Sequence, residues 1–484
     1  MHLQNRTVTL AAVLAAALFS SGCLKVPPYE RPTAPVPAAF KEPPPQGWKE
    51  AQPSDGTLRG NWWEIFGDPA LNALEEQVAI NNQNVLLAEA QFREAAAAVR
   101  VARSGLYPLV TTTPSVTGSQ ASSRLTNRAG STSPVGVYEI PVNASYTADV
   151  WGSIHRGIAA SANSAQAAAA LVESARLLYR SELALDYFQL HGLDGDIAVL
   201  QQSVKSYQEY LVLTQNRYAG GVASDADVAQ AETQLYTTQA QLTDVEVQRA
   251  QLEHAIAMLI GRPPMGFAVP RMPIQVPPPR VPVGLPSALL ERRPDVAQAE
   301  RQVAAANEQI GIAKAAFYPV LTITASAGLE ATSFLNWLTW PSRFWAIGPQ
   351  VAQILFDAGK RKAQLAEAQA SLDASAASYR QTVLTAFQQV EDNLAALRVL
   401  ENEATVLEDA VKSAERSVTV STAQYKAGTA SYLQVITVQT IALQDQRSAV
   451  DVQTRRMTAS VSLVQALGGG WNASSLPTER DLAR

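Results

Sequence analysis

Two hydrophobic periods alternate along the chain. Near the first third, apolar Tyr138, Ile140, Val142, Ala144 and Tyr146 alternate with Glu139, Pro141, Asn143 and Ser145. Much later, Leu321, Ile323, Ala325, Ala327 and Leu329 alternate with Thr322, Thr324 and Ser326, with Glu330 just beyond. A period of two gives an extended strand one apolar and one polar face. Residues 109–119 and 345–355 are less regular partner strands; the first is rich in Thr and Ser, and the second carries Gln353. Pro141 and Pro349 count against these strands, because proline cannot donate to a ladder. Ahead of each strand pair the pattern predicts a helix of about 25–30 residues, stopping at Tyr107-Pro108 or Tyr318-Pro319, since proline disfavours helix at the residue before it. After each pair, 151–217 and 358–425 contain no proline. They predict continuous helices of roughly 60 residues, on the order of 90 Å long.

From residue 228 a heptad seam runs through Val228, Ala231, Leu235, Thr238, Leu242, Val245, Leu252, Ile256 and Leu259, broken by Arg249. Such spacing makes coiled-coil contacts. A weaker seam (Val435, Val438, Ala442, Ala449, Val452, Leu463) contains Asp445. The order of features is therefore the same twice. VARSGLYPLV at 101–110 returns as IAKAAFYPVL at 312–321, and RYAGGVASDADV at 217–228 as QYKAGTASYLQV at 424–435. The chain divides into a signal peptide (1–22), a Pro-rich tether (23–60), a first repeat (61–268), a Pro-rich linker (269–290), a second repeat (291–469) and a C-terminal tail (470–484).

The N-terminus changes the setting. Arg6 precedes an apolar run from Val8 to Phe19, too short to span a bilayer and typical of a signal peptide. It ends in SSGC, which resembles a bacterial lipobox with Cys23 as the lipidated residue, although Ser20 stands where Leu is usual. Ordinary signal cleavage nearby is the alternative. Leu24 after the cysteine fits sorting to an outer membrane. No later stretch has eighteen consecutive apolar residues, so a membrane would have to be entered by strands. Tyr138 and Tyr146 are on the order of 27 Å apart when extended, approaching the height of a barrel's apolar band between its aromatic girdles; a soluble sandwich sheet with Tyr as ordinary strand formers is the alternative.

Composition narrows the chemistry. The formal net charge is −5 over 484 residues, with no basic stripe of the kind nucleic acid requires. One cysteine and four scattered histidines offer neither an intramolecular disulfide nor a metal-ligand spacing. No nucleophile–base arrangement or phosphate-binding loop is present, so no enzyme activity is expected. No cofactor is expected either, beyond a covalent lipid on Cys23. Four strands per chain cannot close a membrane barrel, so copies must associate; a dimer would give eight strands and a trimer twelve.

The passages GNWWEIFGDPALNAL (60–74), DVWGSIHR (149–156), ERRPDVAQAERQVAAANEQIGIAKAAFYPVLTITAS (291–326) and QYKAGTASYLQV (424–435) resemble the TolC family of outer-membrane efflux proteins. The lipoprotein start is most similar to the NodT-type branch serving resistance–nodulation–division (RND) pumps. The resemblance implies a mainly α protein with a membrane β-barrel: a homotrimer whose twelve-stranded barrel continues into a long α-helical barrel. It implies as partners outer-membrane lipids, a periplasmic adaptor and an inner-membrane RND transporter. It places the turns with Tyr218, Gly221, Tyr425 and Gly428 at the periplasmic tip, where an adaptor docks. It also implies that residues just after the turns constrict the mouth. Leu433 matches an apolar constriction position and Asp227, with Asp225 beside it, an acidic one; the family's second acidic positions fall on Gln434 and Thr437. A helix start capped by Ser224 is the local alternative for Asp225 and Asp227. The rival functions are an outlet for protein secretion and a lipid-anchored periplasmic coiled-coil scaffold.

Overall fold

The structure, a computed structural model, describes residues 28–43, 60–120, 122, 134–281 and 286–483. The signal peptide and Cys23 lie outside the described residues. Helices dominate, and their lengths match between the two halves. In the first half α1 spans Pro69–Asn81, α2 Gln83–Ser104, α3 Ser153–Ala219 and α4 Asp225–Leu259. In the second, α5 spans Pro294–Ala315, α6 Lys360–Lys426 and α7 Tyr432–Ala466. The pairs α2/α5, α3/α6 and α4/α7 have 22, 67 and 35 residues each. At 1.5 Å per residue α3 and α6 are about 100 Å long.

The opening helices are shorter than the expected 25–30 residues. In the first half Asn82 interrupts the run and caps α2 with its Oδ1, accepting from the amides of Asn84 (3.0 Å) and Val85 (3.2 Å), while its Nδ2 donates to the Leu259 carbonyl (2.8 Å). A buried side-chain amide with both functions satisfied fixes the break. Each opening helix also stops a turn before Tyr-Pro. Tyr107 and Tyr318 close that turn by donating to the carbonyls of Ser104 and Ala315, both at 3.0 Å.

One antiparallel sheet contains every described strand: β1 (Leu109–Thr112), β2 (Ser115–Ser119), β3 (Val135–Ala148), β4 (Val320–Ala331) and β5 (Arg343–Ala352). Its order is β1-β3-β4-β5, with β2 also pairing β3. β1 and β2 are therefore one strand path, interrupted at Thr113-Pro114, where the sequence pattern suggested a single strand. That interruption explains Pro141. β1 pairs Val142–Ser145 and β2 pairs Val135–Glu139, so Pro141 lies opposite the gap and needs no donor on that side. Pro349 sits on β5, at an edge, where one side is unpaired. Both prolines are compatible with strands for these reasons.

Register sorts the faces. Along β3 and β4, Tyr138 pairs with Ala331, Ile140 with Leu329, Val142 with Ala327, Ala144 with Ala325 and Tyr146 with Ile323. The opposite face pairs Glu139 with Glu330, Asn143 with Ser326 and Ser145 with Thr324. On β5, Trp345, Ile347, Pro349 and Val351 extend the apolar face. Both outer strand paths, β1/β2 and β5, have an open edge.

The main core lies where α3, α5, α6 and α7 meet. Trp62 and Trp63 of the GNWWEIF passage are buried there, Phe66 packs on Phe188 with ring centroids 4.9 Å apart, and Asp68 caps α1 and accepts the Tyr187 hydroxyl at 2.6 Å. Two Pro-rich segments cross the long helices. The linker is fastened at Arg249, the residue that breaks the seam. Arg249 is buried, donates to Asp194 (2.6 Å) and to the Val269 carbonyl (2.7 Å), and Asp194 also accepts the Met272 amide (3.0 Å). Burial opposes the charge of Asp194, but hydrogen bonds from His191, Arg249 and Met272 and the guanidinium hold its carboxyl below the usual range. The described part of the tether is fastened likewise: Tyr29 donates to Glu300 (2.6 Å), Arg31 to Tyr379 (3.1 Å), and the Lys41 and Glu42 amides to Glu391 (2.6 and 2.9 Å).

Candidate gate at the helical tip

Far from the sheet, α3 turns into α4 and α6 into α7. Gly221 (φ 71°) and Gly428 (φ 77°) supply the left-handed residue at each reversal. The amides of Val222 and Thr429 donate back to the carbonyls of Arg217 (2.8 Å) and Gln424 (2.9 Å), closing the helix ends. The next helices start differently. Ser224 and Asp227 form a reciprocal capping box: the Asp227 amide donates to Ser224 Oγ (3.2 Å), and Asp227 Oδ2 accepts from the Ser224 amide and hydroxyl, both at 2.9 Å. Ser431 caps α7 alone, accepting from the Gln434 amide at 3.4 Å. The carboxylate of Asp227 is thus engaged with its own helix start. Asp225 and Leu433 are exposed, Leu433 by 58%. Thr437 is exposed as well and donates to the Leu433 carbonyl at 2.8 Å.

The equivalent tyrosines part company. Tyr218 is half exposed, whereas Tyr425 is buried against Tyr432, with ring centroids 5.5 Å apart. Arg217 lies over the Tyr425 ring at 4.6 Å and donates to its carbonyl at 3.0 Å. Thr214 meets the Tyr425 hydroxyl (3.3 Å), Tyr210 bonds Thr422 (2.6 Å), and Tyr207 is buried in the same cluster. Burial first, then the neighbouring Tyr425, Tyr207, Tyr210 and Asp227, push the Tyr432 phenol up. The two hairpins of one chain are therefore locked together by aromatic rings and one guanidinium. Sequence reasoning passed over Arg217, Tyr207, Tyr210 and Tyr432. The available signal was a departure from the repeat: Arg217 stands where the second half has Gln424, and Tyr432 where the first has Asp225.

At the other end, the helix–strand junctions are also unequal. Tyr318 stacks on Trp151 (4.7 Å, 29°), whose Nε1 donates to the Pro319 carbonyl at 2.7 Å. Tyr107, beside Pro108, is 71% exposed. Tyr138 packs on Phe334 (5.8 Å) and Trp337 (5.4 Å), and Tyr146 lies on the same strand face nearer the helices. No described helix is long and apolar enough to cross a membrane. Among the described residues no group of His, Cys, Asp or Glu is arranged to hold a metal ion.

The family described as outer membrane efflux protein matches residues 74–262 and again 285–469. The chain belongs to the outer membrane efflux protein family. An antibiotic efflux pump outer membrane protein, ArpC of Pseudomonas putida, is 28% identical over 471 residues, covering 96% of each chain. The pyoverdine export outer membrane protein OpmQ of Pseudomonas aeruginosa is 28% identical over 470 residues, 96% of this chain and 97% of that one. The solved outer-membrane channel OprN superposes with a TM-score of 0.84 at 26% identity, over 93% of this chain and all of that one. This efflux protein is thus an outer-membrane exit duct and not an enzyme. The aromatic lock and the two capped turns are the far end of its helical body.

Proposed function

We propose that three copies of this efflux protein close one duct, the outlet of a tripartite pump that passes small toxic compounds across the outer membrane. The open edges of the sheet carry this reading. β1/β2 and β5 each leave a row of backbone groups unpaired, which hydrocarbon does not tolerate, and pairing β5 of one copy with β1/β2 of the next closes twelve strands. The helices support it. α5 is buried on several sides by α3 and α6, whereas its counterpart α2 exposes Leu86, Leu87 and Val101, a face ready for α6 of a second copy. The two halves are read as repeats of one unit, alternating around the ring.

A periplasmic adaptor docks at the hairpin tips around Gly221 and Gly428, linking the duct to an RND transporter of the inner membrane. The mouth is narrowed by Leu433 and by a carboxylate ring from Asp225. Cys23 carries the lipid. Tyr29 lies six positions further along the chain, a reach of at most about 21 Å. Tyr29 is bound to Glu300, about 22 Å along α5 from the helix end nearest the sheet, so a fully extended link would bring Cys23 close to that end. Relatives named for antibiotic efflux and for pyoverdine export align with nearly the whole chain, which supports small molecules as the cargo class.

Native mass spectrometry of the detergent-extracted protein tests the reading. A trimer with three lipidated N-termini is expected. A monomer released from membranes by alkali would overturn it.

A further inference from the structure

The segment joining β4 to β5 is unusual for a loop at the outer end of a barrel. Residues 333–345 read SFLNWLTWPSRFW, and no charged residue occurs between Glu330 and Arg343. Leu335 is 87% exposed, Leu338 71%, Trp340 77% and Trp345 76%. A soluble loop tip would be polar; an apolar patch rimmed by polar groups marks an interaction site.

Three observations say what covers it. First, the patch is continuous with the apolar face of the sheet. Trp345 pairs with Ala327, which pairs with Val142 on that face, and Tyr138, also on that face, holds Phe334 and Trp337. The loop is thus folded toward the side that meets lipid. Second, part of its backbone is satisfied within the loop, which lessens its need for water. The amides of Asn336, Trp337, Thr339 and Ser342 all donate within the loop, and the Thr339 and Ser342 hydroxyls both donate to the Asn336 carbonyl at 2.6 Å. Third, the single cation sits at the rim. Arg343 lies over the Trp340 ring at 4.6 Å and donates to its carbonyl at 3.2 Å, and among the described residues no carboxylate pairs with it. Tryptophan bodies with a guanidinium beside them suit the boundary between acyl chains and anionic headgroups.

We propose that residues 333–345 are a membrane anchor, inserted at the headgroup boundary of the outer leaflet, with anionic lipid as the partner of Arg343. This rests on the reading that the sheet crosses the outer membrane. The anchor would fix the outer rim of the barrel at one depth, opposite the lipid on Cys23 at the other face.

Site-directed spin labelling of the full-length protein in vesicles of phosphatidylethanolamine and phosphatidylglycerol separates the possibilities. Labels are placed at Leu338→Cys and, as a control in the middle of the lipid face, at Ala327→Cys; the parent protein gives the background from Cys23. The expected result is that oxygen relaxes both labels while a water-soluble nickel complex relaxes neither. Replacing phosphatidylglycerol with phosphatidylcholine should make the Leu338 label accessible to nickel, and Arg343→Gln should remove that lipid dependence. A nickel-relaxed Leu338 label beside a nickel-protected Ala327 label would overturn the anchor and leave the barrel standing. Nickel relaxation at both positions would overturn the barrel itself. A Leu338 label shielded from both reagents would mean that a second copy covers the loop, and this too would overturn the proposal.

Discussion

Glu75 is fully buried on α1, and neither carboxylate oxygen has a hydrogen-bond partner among the described residues. Burial dominates and raises its pKa well above the usual range, against the pull of the Arg180 guanidinium. In the unfolded chain the group ionises near its ordinary value of about 4.3. Between that value and the folded one, the folded state keeps a proton that the unfolded state has released. Stability therefore falls as pH rises through this window. Glu75→Gln should raise the Tm at pH 7 and remove that part of the slope; a Tm–pH profile identical to that of the parent would refute the assignment. At the tip, residue chemistry separates two roles. Leu433→Ala should raise single-channel conductance in planar bilayers, because the side chain is exposed and free to constrict. Asp227→Asn should leave conductance unchanged, because an amide oxygen can still accept from Ser224. A leak caused by Asp227→Asn would return the charge ring to that residue. A helix start capped by Ser224 was legible as the local alternative for Asp227; that the Asp227 carboxylate turns back to accept from the Ser224 amide and hydroxyl was not, because sequence alone does not fix which way a short carboxylate turns.

Among the elements, α3 differs from α6 in having glycine at 192 and 195. A Cβ on Gly192 would meet Thr454 Oγ1 at 2.2 Å, and one on Gly195 would meet Val450 at 3.0 Å, so α7 crosses α3 in a notch that only glycine permits. Gly192→Ala gains about 1 kcal/mol of helix propensity but incurs overpacking of about 1–3 kcal/mol, so the net effect should be destabilising. Thr454→Ala in the same chain should recover most of the loss, a coupling measurable by denaturant unfolding in detergent. Additive effects would mean that the two residues do not share the crossing. The helices themselves were readable from proline-free runs. The crossing was not, since a mid-helix glycine reads as a weakness until its neighbour is known. Arg249 gives the same lesson: a fault in the heptad seam is the buried post that holds the linker.

At the scale of the whole molecule, the polar face of the sheet carries the consequence of closure. Glu139 and Glu330 stand directly opposite each other across β3 and β4. Like charges so placed repel, and they are tolerated where water reaches them. In a closed trimeric duct they would form a carboxylate belt inside the barrel. The double variant Glu139→Gln, Glu330→Gln should therefore weaken cation selectivity, read as a smaller reversal potential across a potassium chloride gradient. An unchanged reversal potential would move the selectivity elsewhere, with the tip as the next place to look. The aromatic lock at the tip acts on the same scale. It ties the two hairpins of one chain together, so movements of the mouth are expected between copies more than within one.

The elements follow from local pattern. Period-two runs set the strands and their apolar face, proline-free stretches set the long helices, and glycine with Ser caps set the turns, because each depends on residues close together in the chain. The same order of elements in the two halves was legible too, because each half carries its own local signals. Whatever depends on distant neighbours came from the folded structure. It showed that Pro141 faces a gap made by Pro114, that Tyr425 is buried while Tyr218 is not, that Arg249 binds the linker, and that the Trp-rich loop folds onto the apolar face of the sheet. Those choices are set by packing and register across residues far apart in the chain, which a local pattern does not contain.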